Sequence, residues 1–307
     1  MIEIRTGSDS DILKMKEAYT YLEEHEIEYS PRILSAHRTP SAMVEAAKNL
    51  SDEGFRVSVC AAGGAAHLPG MTASETLVPV VGLPIIASTL QGLDSFLSIV
   101  QMPDGIPVGT VGAGQSKAAV ELASRIAHLD NLQVRNNLRS KLGLRSLDQI
   151  DLVKRLSIHF TEDIEASTQK EILDFATELS IPFEVVSEDS IGPVTLVVQA
   201  LHSSKNVAAY LSQKYETVQI NLYLSCNSLS QSSITQLWSD KAESWTPVAL
   251  MGLNRYKNAV LYGAQVLAQY DESIHNKLMR FRSDMKAVIE VKNEHLSQTG
   301  VKDFIKS

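Results

Sequence analysis

Within four positions, Ser35, His37 and Arg38 offer a hydroxyl, an imidazole and a guanidinium. An imidazole takes and gives a proton near neutral pH, and a guanidinium can clamp a phosphate through two parallel hydrogen bonds. Gly7-Ser8-Asp9-Ser10-Asp11 has the make-up of a loop that opens a helix, where unpaired backbone N–H groups attract an anion. Its carboxylates would repel a phosphate, so Asp11 is better suited to ribose hydroxyls; plain helix capping by Ser8, Asp9 or Ser10 is the other reading of this loop. Ala61-Ala62-Gly63-Gly64-Ala65-Ala66-His67-Leu68-Pro69-Gly70-Met71 is dense enough in small residues for a backbone to approach a flat ligand, with His67 at the turn before Leu68. A tight strand-to-helix turn alone would not require so many small residues in succession.

Each of these loops follows a short apolar run. Residues 2–6, 32–35, 57–61, 79–81, 85–88 and 107–111 read as buried strands, while residues 11–24, 40–52 and 115–128 carry apolar side chains at spacings of three and four, as helices do. Strands alternating with helices predict a parallel sheet covered on both faces, a three-layer α/β (αβα) architecture. In such folds ligands sit at the carboxyl ends of the strands, where the three loops fall.

The 307 residues suffice for two domains of ordinary size, and 44% hydrophobic with 21% charged residues is the make-up of a soluble globular chain. The net charge of −8 disfavours a phosphate-neutralising surface, so no nucleic-acid partner is expected. No apolar run reaches the roughly 18 to 20 residues that a membrane span requires, so no membrane partner is expected. Met1-Ile2-Glu3-Ile4-Arg5 begins a strand-like alternation rather than a signal segment, and a cytoplasmic location is expected. Cys60 and Cys226 adjoin apolar runs and read as buried free thiols, not as a disulfide or metal site.

The chain divides unequally. Twelve of the 16 glycines precede residue 150, whereas both tryptophans follow it. The segment from Ile106 through Asp130 recurs, in pattern, from Thr246 to Asp271, with Lys117 matched by Asn258; both copies run on into a similar helix, residues 131–142 and 272–285. The pattern of residues 4–29 recurs at 158–183. Similarity at both ends of each half favours a tandem duplication: residues 1–145 as one domain, a linker at 146–155, and a second domain at 156–307.

Residues 7–11, 35–40, 62–71 and the run 92–103 followed by Gly105-Ile106-Pro107-Val108-Gly109 resemble, in order and spacing, the N5-carboxyaminoimidazole ribonucleotide mutase (PurE) family. The resemblance spans residues 2–142 and implies a flavodoxin-like sheet. It also implies migration of a carboxylate from the exocyclic amine of a small-molecule ribonucleotide to ring carbon C4, in purine biosynthesis, without ATP, metal or organic cofactor. His37 becomes the general acid and base. Ser8, Asp11 and Arg38 are implied to bind the ribose phosphate, and Ser35, Gly63, Gly64, His67 and Leu68 to line the pocket. Ser35-Ala36-His37-Arg38 with Gly63-Gly64-Ala65-Ala66-His67 looks like the mutase branch rather than the carboxylase branch, which typically has lysine for the arginine. Ile12 stands where the family often has tryptophan, and the loop at 112–117 looks about three residues short, so closure over substrate could differ.

Carried to the second half, the motif fails. Thr161, Glu162 and Glu165 replace Gly7, Ser8 and Asp11, His202 is matched to His37 without an arginine beside it, and Ser225 begins a polar loop. The expectation is one active site per chain, the second half being a degenerate packing copy, and a homo-oligomer in which a tetramer of tandem chains forms a pseudo-octamer. The alternatives are direct carboxylation of the aminoimidazole ribonucleotide by carbon dioxide, or a non-enzymatic nucleotide-binding module.

Overall fold

The computed structural model describes residues 1–86, 90–145, 155–203, 205–225 and 246–305. The first half runs β1 (Ile2–Thr6), α1 (Asp9–Lys14), α2 (Lys16–Glu24), β2 (Tyr29–Ile33), α3 (Pro40–Lys48), β3 (Val57–Gly63), α4 (His67–Glu75), β4 (Val80–Ile85), α5 (Leu93–Val100), β5 (Gly109–Thr110), α6 (Ser116–Ala127) and α7 (Leu132–Leu142). The second runs β6 (Leu156–Phe160), α8 (Ala166–Glu178), β7 (Phe183–Val185), β8 (Val194–Ala200), α9 (Val207–Lys214), β9 (Val218–Leu224), β10 (Val248–Leu250), α10 (Tyr256–Ala268) and α11 (Glu272–Thr299).

The ten strands form one sheet in the order β2-β1-β3-β4-β5-β10-β9-β8-β6-β7. Strand pairs within each half are parallel, and the halves meet antiparallel at Thr110 and Leu250. The order therefore reads the same from either edge. Thr110 and Leu250 are also counterparts in the repeated sequence, so the pair that joins the halves lies on their pseudo-two-fold axis. This flavodoxin-like α/β sheet carries helices on both faces, as the alternating pattern requires.

The faces are built differently. On one, side chains of α2, α6, α8 and α10 share a single apolar cluster with inward residues of both halves, among them Val59, Val81, Ile158 and Ile220. Pleating sends Cys60, Ala62 and Val80 the other way, where with Ala66, Leu68 and Ile99 they form a smaller cluster of the first half alone. Polar contacts also cross the junction. Arg125 of α6, 3% exposed, donates to the carbonyls of Ser212, Tyr215 and Thr217 at 3.0, 3.3 and 3.2 Å. Arg135 of α7 pairs with Glu216 at 3.1 Å, both side chains 3% exposed.

Several elements differ from the sequence reading. β2 lies at Tyr29–Ile33 rather than 32–35, because an edge strand tolerates Pro31 and leaves the apolar Ile33 and Leu34 to turn into the loop. The runs 79–81 and 85–88 are one strand, β4, up to Ile85; residues 87 and 88 lie outside the described residues. The helix expected over 11–24 breaks at Met15 into α1 and α2. The second-half terminal helix reaches Thr299 rather than 285. The matching of His202 to His37 is wrong. His202 follows β8, the counterpart of β3, whereas the loop corresponding to His37 would follow β7, and only residues 186–193 separate β7 from β8. Both the 35–39 loop and helix α3 are missing there. Cys226, the polar loop beyond Ser225 and nearly all of the linker at 146–155 lie outside the described residues.

Candidate functional site

Because β2, β1 and β3 are parallel neighbours, their carboxyl ends bring the three loops together. Gly7, Ser8, Asp11, Ser35, His37, Arg38, Gly63, His67 and Leu68 all line one cavity of about 350 Å³. The sequence named eight of these as site residues. Gly64 is not among the lining; with φ +63° it shapes the turn into α4, and the left-handed Ala66 (φ +44°) completes it. Leu68 is 3% exposed and anchors the cavity floor within the cluster that holds Ala36 and Ala66.

The loops are tied to one another. Arg38 donates through Nη2 to the Gly7 carbonyl at 2.8 Å, and its backbone N–H donates to Ser35 Oγ at 3.1 Å. Ser35 N–H in turn donates to Thr39 Oγ1 at 2.9 Å, a local turn that leads into Pro40 at the head of α3. Ser8 Oγ donates to Asp11 Oδ2 at 2.8 Å, holding the carboxylate over the first loop. His67 is the first residue of α4, not a turn residue as the sequence reading had it. Its Nδ1 lies 2.8 Å from Nε2 of His37. Both rings and Arg38 remain exposed to the cavity mouth.

A proton carrier, a cation and two hydroxyl or carboxylate acceptors thus face one space at a sheet edge. Beneath it, Arg5 of β1 is fully buried, donates to Glu3 Oε1 at 2.7 Å, and reaches the Met43 carbonyl and Thr72 Oγ1 at 3.2 Å each, linking β1 to α3 and α4. The alternation at residues 2–5 gave no sign of this, since a paired Glu and Arg on one strand usually face water. Burial pushes the Cys60 thiol beside it up from its ordinary value, so it is a packing residue. Among the described residues no group of three or more His, Cys, Asp or Glu side chains could hold a metal ion, and no helix is long and apolar enough to cross a membrane.

The second half has a cleft at the corresponding edge, lined by Asp163, Glu165, Glu171, Ser225 and Asn254. Glu165 precedes α8 where Asp11 stands in α1, and Thr161 Oγ1 is bonded to Asp163. Carboxylates occupy this cleft without an arginine among the residues that line it.

Comparison with known proteins agrees with this geometry. Residues 1–143 match the family model described as AIR carboxylase. The N5-carboxyaminoimidazole ribonucleotide mutase of Pyrococcus abyssi is 47% identical over 138 residues, 45% of this chain and 79% of that protein. The enzyme of the same name from Pyrococcus horikoshii is 50% identical over 139 residues, 45% of this chain and 78% of that one. The phosphoribosylaminoimidazole carboxylase of Schizosaccharomyces pombe is 52% identical over 126 residues, 41% of this chain but 23% of that protein. Among solved structures, Treponema denticola PurE aligns with 23% identity and a TM-score of 0.43, covering 58% of this chain and 97% of its own. The sheet and the comparisons define an α/β enzyme whose strands run parallel within each half. The chain belongs to the AIR carboxylase family.

Proposed function

We propose that this chain is an N5-carboxyaminoimidazole ribonucleotide mutase of purine biosynthesis, with one active site at the carboxyl ends of β1, β2 and β3. The observation that carries the reading is the His37–His67 contact at 2.8 Å beside Arg38, in a cavity whose lining residues all fall within the residues 1–143 that match the family model. In the first step the bond from the exocyclic nitrogen to the carboxylate carbon breaks, its electron pair stays on nitrogen, and His37 supplies the proton that nitrogen takes. Carbon dioxide and aminoimidazole ribonucleotide remain in the pocket. C4 of the ring then attacks the carbon dioxide, and His37 removes the C4 proton, so the imidazole ends in its starting state. The wall of small residues at Gly63–Ala66 limits escape of carbon dioxide to water.

In this reading Arg38 and Ser8 hold the phosphate, Asp11 accepts from ribose hydroxyls, and Ser35, Gly63, Gly64, His67 and Leu68 shape the pocket. Residues 1–145 are the catalytic domain, 146–155 a linker, and 156–307 a degenerate copy without a site. The carboxylate-lined cleft and the missing counterpart of the 35–39 loop support that division, since Glu162 puts a carboxylate where Ser8 stands and no arginine lines the cleft to offset its repulsion of a phosphate. The chain acts in the cytoplasm as a tetramer forming a pseudo-octamer; light scattering giving a monomer mass would remove the assembly.

The test is turnover of N5-carboxyaminoimidazole ribonucleotide by the purified chain without ATP. Wild type is expected to isomerise it and His37→Asn to lose about a thousandfold in kcat. Conversion of aminoimidazole ribonucleotide at low bicarbonate, without isomerisation, would instead favour the carboxylase named for the Schizosaccharomyces pombe relative.

A further inference from the structure

Helix α4 carries His67 at its first position, and the second half bears on it in two ways, directly through Arg282 and indirectly through the loop that carries Met102. At its far end, Arg282 of α11 donates to the carbonyls of Ala73 and Ser74 at 2.7 and 2.9 Å. These belong to the last turn, whose carbonyls have no partner within the helix. Halfway along, Gly70 lies close under the Met102 side chain: a Cβ there would stand 3.0 Å from its sulfur. Met102 packs on the cluster that contains Ala36, Ala66 and Leu68, the neighbours of both histidines.

The loop that carries Met102, residues 101–106, is itself held from the second half. Asn258 accepts from the Gly105 N–H at 2.8 Å and donates to the carbonyls of Met102 and Pro103 at 3.3 and 2.9 Å. Three backbone groups that a tight turn would leave to solvent are met by one side chain. Arg255 adds an ion pair to Asp104 at 3.1 Å.

Among the described residues the grip is one-sided in the repeat. Lys117, the counterpart of Asn258, stays in its own half, with its Nζ 5.8 Å from the centre of the Tyr21 ring. The half without a phosphate-compatible cleft has the side chain that reaches across the pseudo-two-fold axis toward the other half's site. The half that has such a cleft does not reciprocate at that position.

We infer that the second half is a built-in brace for the catalytic helix, with Asn258 and Arg282 as positioning residues that fix α4 and hence the approach of His67 to His37. The inference rests on the mutase reading for its kinetic readout only. An imidazole displaced by as little as an ångström no longer meets its partner, and misplacement on that scale lowers kcat more than it weakens binding.

The experiment uses the full-length chain with Asn258→Ala, Asn258→Asp, Arg282→Lys and, as a control on the exposed face of α11, Arg280→Ala. Steady-state kinetics, thermal unfolding and the side-chain nitrogen resonances of His37 and His67 are measured together. Asn258→Ala is expected to lower kcat about tenfold with KM within about threefold, and to shift both histidine signals. Asn258→Asp, which keeps the acceptor for Gly105 but sets a buried carboxylate against the two carbonyls, should lower kcat at least as far as Asn258→Ala. Arg280→Ala should match wild type. Unchanged kcat with unchanged histidine signals overturns the inference, and so does a lower unfolding temperature with unchanged turnover per folded molecule. Should Asn258→Ala fail to fold, the aspartate and lysine variants carry the same comparison. A wild type that does not isomerise the substrate counts against the mutase reading; the histidine resonances then decide the brace by themselves.

Discussion

Nε2 of His37 and Nδ1 of His67 face each other at 2.8 Å, with the rings edge to face and their centroids 5.0 Å apart. A hydrogen bond at that distance holds one proton between the two nitrogens, so one ring donates while the other accepts. His67 thereby selects which nitrogen of His37 carries its proton and which way the ring points. Replacing His67 by leucine removes the partner while leaving His37, the proposed general base, in place. The expected outcome is a fall in kcat of about 10- to 100-fold, smaller than for His37→Asn, measured by steady-state kinetics at saturating substrate. Equal losses for the two variants would mean that both rings transfer protons.

Gly105 has φ +97°, and a Cβ there would stand 2.1 Å from Cε of Met285. Gly105→Ala therefore meets both backbone strain and a clash with α11. A loss of about 1 to 3 kcal/mol in urea unfolding is expected. Adding Met285→Ala should recover only the part due to the clash, because φ remains unfavourable; full recovery would show that the turn itself carries no strain.

Burial pushes the His128 imidazole down from its ordinary value, against an opposing contact from the Ser124 carbonyl to its Nδ1. With the folded value depressed, its contribution to stability is complete above the unfolded value of about 6.5 and is lost as pH falls through the folded one. His128→Gln, the residue its counterpart Gln269 carries, should flatten the decline in urea midpoint between about pH 6.5 and pH 5. A decline as steep as in wild type would assign it to other groups.

Ending the chain at Gly143 strips Arg125 and Arg135 of their carbonyl and carboxylate partners and uncovers β5. The apolar side chains of α6 that share one cluster with Ile158, Ile220 and Leu261 would also face water, at about 25 cal/mol per Å² uncovered, against a total stability of about 5 to 15 kcal/mol for an ordinary domain. The truncated chain is expected to be insoluble or partly folded, read by size exclusion and circular dichroism. A soluble, folded and active fragment would show that the first half stands by itself.

Where a pattern reports burial on a regular face, the sequence was sufficient. β1, β3, α6 and α7 fall within a residue or two of their expected places because alternation or a three-four spacing marks them. Helix α4 was illegible for a physical reason: Pro69 and Gly70 after His67 read as a turn, yet Pro69 is the third residue of the helix's first turn, where the missing N–H would have had no partner. β2 was misplaced because its exposed edge carries no clean alternation.

The chemistry-bearing residues Ser8, Asp11, Ser35, His37, Arg38 and His67, and the place of their loops at the carboxyl ends of parallel strands, were legible in the sequence, since residue type and the alternation of strand and helix are local properties, whereas the adjacency of β2, β1 and β3 that gathers the loops was not. Partnership between residues far apart in the chain was decided only by the tertiary structure. It set Arg38 on the Gly7 carbonyl, buried Arg5 beneath the site, and put Asn258 and Arg282 on the loop and helix behind His67. No periodicity reports such contacts, because each joins residues distant in the chain, and those of Asn258 and Arg282 depend further on two halves meeting at Thr110 and Leu250, 140 residues apart in sequence and paired in space.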